Sequence, residues 1–237
     1  MAAYSRATRL VANWVTAVLA GATVSLGGPG AALAQKPPQE WDGLVRRDSS
    51  SLEHVYVLPN VKFKGYKRVR LYPVAVRMDK NWDPNSGRVA LQGTISSADI
   101  QRIREDLAKA FRDVFAENLS KAGYPLVDTD GDDVLAVQAA MINVNISAPE
   151  SSSASGATRA YVMDPGRITL VLELFDSVTG QTLARAVDTK QGPNSGTGLV
   201  QWSNSVTNST GARWVIGQWA DALRKALDEV NGGAAGK

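Results

Sequence analysis

The chain has 237 residues, no cysteine and one histidine, with 26 Lys and Arg against 23 Asp and Glu, a formal charge of +3. Those counts exclude a disulfide framework, a thiolate nucleophile, a cysteine-based zinc centre, a cysteine-linked lipid and a two-histidine metal site. So small a surplus does not point to nucleic acid. At 44% apolar composition the length suits one domain whose core needs no staples.

Residues 1–34 read as an address. Arg6 and Arg9 precede an uncharged stretch from Leu10 to Gln35, apolar as far as Leu26. Gly27-Gly28-Pro29-Gly30 then ends any helix, and Ala32-Leu33-Ala34 supplies a small-residue cleavage signal. Together these features predict a secretory signal peptide cut between Ala34 and Gln35. The alternative is a retained anchor, but an apolar run of about 17 residues is short for a span. Cleavage removes two arginines and no acid, so the remaining 203 residues carry 24 basic and 23 acidic groups, net +1. No later stretch is apolar enough to span a bilayer, so a periplasmic or secreted, non-lipidated protein is expected.

After the leader, residues 35–51 are polar, contain Pro37 and Pro38, and read as a flexible lead-in on which Trp41 and Leu44 can dock. A single domain is expected over 52–230. Its first strand runs from Lys67 to Arg77, where Pro73 implies an edge, a bulge or a break. Asp79 to Gly93 reads as a loop. Ser97 to Ala122 has the strongest helical pattern: Ile100, Ile103, Leu107, Phe111, Val114, Phe115 and Leu119 form one stripe. Ser96 and Asp99 make its start signal, and Gly123 its left-handed stop.

A short strand is predicted over Tyr124 to Val127, an acidic turn over Asp128 to Asp133, and a long strand over Val134 to Ile146. Ser147 to Gly166 is a low-complexity excursion. Arg167 to Phe175 and Gln181 to Thr189 form a hairpin through Asp176-Ser177-Val178-Thr179-Gly180. Gln191 to Gly211 is polar and holds Trp202, which reads as an exposed contact residue. A last helix spans about Ala212 to Val230, with Trp219 on its core stripe, and a disordered tail follows over 231–237. Hairpins among the later strands and two one-striped helices predict an α+β two-layer sandwich. It consists of a mixed, mainly antiparallel sheet of about five strands with both helices on one face.

Several short motifs occur in a recognisable order. They are Trp41-Asp42-Gly43-Leu44, Tyr56-Val57-x-Pro59, Tyr66-Lys67-x-Val69, Asp176-Ser177-x-Thr179-Gly180-x-x-Leu183 and Trp219-Ala220-x-x-Leu223. From Trp41 to Val230 the chain resembles the bacterial family known as domain of unknown function 3313 (DUF3313), exported proteins of Gram-negative bacteria that include many lipoproteins. The resemblance implies export and a cell-envelope location. It transfers no catalytic residue, and the missing cysteine means that lipid anchoring is not transferred either.

Candidate chemistry is sparse. Asp128, Asp130 and Asp132 have the alternate spacing of a calcium loop, yet Gly131 stands fourth instead of sixth, and Ala139 occupies the twelfth place. A solvated turn is the better reading. His54 has no nucleophile elbow to serve. Gly192 to Gly198 lacks the lysine and following helix of a phosphate loop. No catalytic, cofactor or metal residues are therefore assigned, and no cofactor is expected.

Lys62, Lys64, Lys67, Arg68 and Arg70 form the densest basic run, interleaved with Phe63, Tyr66 and Tyr72. They are a candidate contact with an anionic envelope surface, set against a solvated strand edge. The functional expectation is a non-enzymatic binding or accessory module for an envelope protein or polymer, with no nucleic-acid partner. A hydrolase or transferase acting on envelope glycan or lipid through an unrecognised carboxylate site is the alternative. A small apolar-ligand carrier is a third reading.

Overall fold

The computed structural model describes residues 37–85, 94–145, 168–190 and 210–232, and every element below lies in the unit that begins at Gln39. The order is β1 (Glu40–Trp41), β2 (Leu44–Arg47), β3 (His54–Val57), β4 (Arg68–Leu71), β5 (Ala75–Met78), α1 (Ser97–Lys121), β6 (Val134–Val144), β7 (Ile168–Asp176), β8 (Thr182–Lys190) and α2 (Thr210–Asn231). The leader, its cleavage point at Ala34 and Gln35, the serine-rich excursion, Trp202 and residues 233–237 lie outside the described residues.

Eight strands make one sheet in the order β1-β2-β3-β8-β7-β6-β4, with β5 also paired to β6. All neighbours are antiparallel except β4 and β5, which run parallel to β6. The α1 helix makes the crossover that parallel β5 and β6 require. The architecture is α+β as expected, but the strand count exceeds five for three reasons, the first being β3, which no expected strand covered. Residues 40–47, which composition reads as lead-in, form a hairpin that continues into β3. The first expected strand is split by Pro73 into β4 and β5, both paired to successive parts of β6. Proline has no N–H to give a ladder, so the split falls where it stands. Residues 124–127 contribute only a parallel bridge, Val69 to Leu126, in place of a strand.

Local signals account for the ends of α1. Ser96 Oγ accepts from Asp99 N at 3.2 Å, and Ser96 N donates to Asp99 Oδ2 at 3.0 Å, a complete capping box. At the other end Tyr124 N donates to Leu119 O and Gly123 N to Ser120 O, a Schellman motif that needs the φ of +88° at Gly123. The β1–β2 turn places Asp42 and Gly43 at φ of +51° and +79°, the left-handed pair of a two-residue hairpin.

The core lies between the sheet and the helices. Leu135, Val137, Ala139 and Met141 of β6 and Leu170 and Leu172 of β7 share a cluster with Phe111, Phe115, Ile216 and Trp219. Phe111 and Phe115 stack at 4.0 Å between centroids. One carboxylate enters this layer. Asp188 is 2% exposed and accepts from Trp219 Nε1 at 2.7 Å and Glu53 N at 2.9 Å, with Lys190 Nζ at 3.0 Å. A buried charge so completely partnered ties α2, β8 and the turn before β3 together.

Candidate functional site

The basic run divides between two settings. Lys62, Lys64 and Lys67 face solvent, whereas Arg68 and Arg70, alternating with core residues Val69 and Leu71, turn to the helix-free side of β4. There they meet the acidic turn. Arg68 Nε donates to Asp133 Oδ2 at 2.9 Å, Arg70 binds Asp130, and Arg112 lies 3.7 Å from Asp128. The Arg68 hydrogen bond holds the Asp133 carboxyl below the usual carboxylate range. Arg70 also lies over the Tyr72 ring at 4.8 Å, and Tyr72 stacks on Phe175. Two sequence candidates, the basic run and the calcium-like turn, thus partly neutralise one another. Among the described residues no group of three or more His, Asp or Glu side chains could hold a metal ion. His54, half-buried on β3, has its Nδ1 3.4 Å from Arg46 Nη2.

A second region gathers residues far apart in sequence. Pro59, Tyr66, Asp176, Thr179 and Leu183 line a hollow of about 340 Å³ where the β7–β8 turn meets the segment after β3. Tyr66 Oη donates to Asp176 Oδ2 at 2.8 Å, while Asp176 Oδ1 accepts from Thr179 N, Thr179 Oγ1 and Val178 N. The Thr179 amide, ahead of the Tyr66 and Thr179 hydroxyls, lowers the Asp176 carboxyl; burial and then Asp176 raise the Tyr66 phenol. Ser177 Oγ donates to Gly131 O at 2.9 Å. Both oxygens of Asp176 are occupied, so this carboxylate closes a turn and anchors it to Tyr66.

The third region is an open cleft of about 910 Å³ between the end of α1 and the flank of α2. Its walls are partly self-satisfied. Lys121 pairs with Glu117 at 2.7 Å, and Arg224 with Asp228 at 2.8 Å. Tyr124 Oη donates to Asp228 Oδ1 at 3.0 Å, and Asn231 bridges Gly65 N and Tyr66 O. Two lining groups differ from these. Arg213 and Asn118 are both half-buried, and neither has a hydrogen-bond or ion-pair partner among the described residues. Arg213 adds to the field that, after Lys121, lowers the Glu117 carboxyl.

The family model described as "Protein of unknown function (DUF3313)" matches residues 34–223. The chain belongs to the DUF3313 family. A search of the curated proteins returned no match. Similar solved structures include a PelC dodecamer from Paraburkholderia phytofirmans, 14% identical with a TM-score of 0.33, covering 72% of this chain and 94% of that one. A DUF330 protein from Xanthomonas campestris is 14% identical, with a TM-score of 0.36 and coverage of 74% and 92%. A minor lipoprotein from Acinetobacter baumannii is 15% identical, with a TM-score of 0.26 and coverage of 69% and 94%.

In this DUF3313 chain the motif residues have structural duties. Trp41 packs edge-on against Tyr56 at 5.5 Å and lies under Arg185, Asp42 pairs with Arg185, and Leu44 is buried. Trp219, expected in the core, holds Asp188 there. Trp214 on α2 is half exposed. The cleft has no counterpart among the motifs. Asn118 and Arg213 belong to the polar sides of two amphipathic helices, and periodicity marks only the opposite sides.

Proposed function

We propose that this DUF3313 protein is exported to the periplasm or beyond, is not lipidated, and works by binding an envelope protein or polymer without catalysing a reaction. The leader pattern of residues 1–34 supports export, and the absence of cysteine supports the missing lipid. The observation that carries the binding reading is the open cleft with two polar side chains, Asn118 and Arg213, that have no partner among the described residues. An open, polar-walled groove suits an extended partner better than a small enclosed substrate. By contrast, Glu173 is held by Arg185 and Thr182, and Asp188 by Trp219 and Lys190, as structural carboxylates need. The test is affinity capture from the cell envelope with the wild-type chain and with Asn118→Trp, which fills the groove. A partner retained by the wild type and lost from the variant is expected. Equal retention by both, or retention by neither, rejects the reading.

A further inference from the structure

We infer that the cleft between the two helices recognises a carboxylate on an extended peptide segment of a partner protein, with Arg213 as its charge partner and the Asn118 amide as a second donor. This rests on the binding reading above. Of the cations lining the cleft, Lys121 is committed to Glu117 and Arg224 to Asp221 and Asp228, whereas Arg213 has no ion-pair or hydrogen-bond partner among the described residues. A half-buried guanidinium keeps five N–H donors in a planar fork that matches a carboxylate. Asn118, also unbonded among the described residues, offers two further donors on the opposing helix. Half-buried polar groups with no partner among the described residues are met by water in an open groove, and that water can be exchanged for an outside acceptor.

The charges around them decide the type of ligand. Glu117 and Asp228 line the same groove. With Lys121, Arg213 and Arg224 set against these two carboxylates, the lining holds one surplus positive charge, which balances a single ligand carboxylate and not the repeating charges of a polyanion. A peptide bearing a single acidic side chain places one carboxylate at Arg213 and neutral backbone elsewhere. Backbone carbonyls and amides can then meet the remaining polar walls.

The full chain, with arginine Nε and asparagine side-chain nitrogens labelled, is titrated with the peptide Ac-Gly-Glu-Gly-NH2 and with its isosteric control Ac-Gly-Gln-Gly-NH2. Saturable shifts of the Arg213 and Asn118 resonances are expected with the first peptide and none with the second. Arg213→Gln should weaken binding by at least about tenfold, and Arg213→Lys by less, since the charge remains but the fork is lost. Because no described residue pairs with Arg213, both variants should melt with the wild type. Binding of the glutamate and glutamine peptides alike, binding unaffected by Arg213→Gln, or saturable binding of an oligogalacturonate in place of the peptide would each overturn the inference. Loss of the captured partner on Asn118→Trp together with no effect of Arg213→Gln would leave the binding function standing and reject only this ligand chemistry.

Discussion

The two faces of the sheet are built on different physics. Toward the helices, β6 and β7 present Leu135, Val137, Ala139, Met141, Leu170 and Leu172 to aromatic and aliphatic side chains of α1 and α2. On the other face the strand registers align a polar row. Gln138 lies opposite Glu173, Glu173 opposite Arg185, Arg185 opposite Tyr56, and Tyr56 opposite Arg46. Within that row Arg185 Nε donates to Glu173 at 2.9 Å, its Nη1 reaches Asp42, and its guanidinium covers Trp41. Burial of apolar area is non-directional and stabilises many registers alike. The polar row is directional, and a one-residue slip of β7 would move Glu173 beneath the helices, away from Arg185. The helix side therefore supplies most of the stability, and the helix-free side selects the pairing and docks the β1–β2 hairpin.

The comparison breaks most visibly at Trp219. Trp219→Ala removes the largest fully buried side chain among the described residues and leaves Asp188 without its indole donor. A loss of about 4 kcal/mol in denaturant unfolding is expected. A loss below about 1 kcal/mol, the surface-substitution range, would show that the helix layer is not the stabilising one. A middle-sized effect belongs to the polar row. Arg185→Ala leaves buried Glu173 without its ion-pair partner, with the Thr182 hydroxyl still bound, and should cost about 2 kcal/mol. It should also raise hydrogen exchange at Val45 and Val57 in the hairpin pairing, while β6 and β7 amides stay protected. Uniform loss of protection would mean that the row is part of the global core and not a register device.

The smallest effect sharpens the same contrast at the sheet end. The Asp176 carboxyl is depressed in the folded chain, so its contribution is complete above its unfolded value near pH 4 and is lost as pH falls through the lower folded value. Asp176→Asn should lower stability at neutral pH by under about 1 kcal/mol, given its partial exposure. The difference from wild type should close in strong acid, read from unfolding curves at several pH values. A difference that persists at the acid end would assign the effect to turn geometry and not to charge.

How far the sequence could be read follows the same division. Ser96, Asp99 and Gly123 marked the limits of α1 because caps are satisfied within a few residues. The β7–β8 hairpin was legible for the same reason. The β1–β2 hairpin was not, although Asp42-Gly43 is a turn signal. Its strands are short, and their docking depends on Tyr56, Arg185 and Glu173, which come from three later strands. The acidic partners of the basic run were not legible, because they lie far along the chain. Arg68 and Asp133, 65 positions apart, meet only because β4 pairs with the start of β6.

The amino-acid sequence by itself determined the two helices, their capping signals, the long apolar strands, the family and the exclusion of cysteine chemistry, because periodicity and composition are local or additive properties. The tertiary structure alone decided which charges cancel, how the Trp41 hairpin joins the sheet, and that Asn118 and Arg213 face one cleft without partners among the described residues. Those outcomes depend on which elements become neighbours, and a one-dimensional pattern carries the face of each element but not the identity of the side chain opposite.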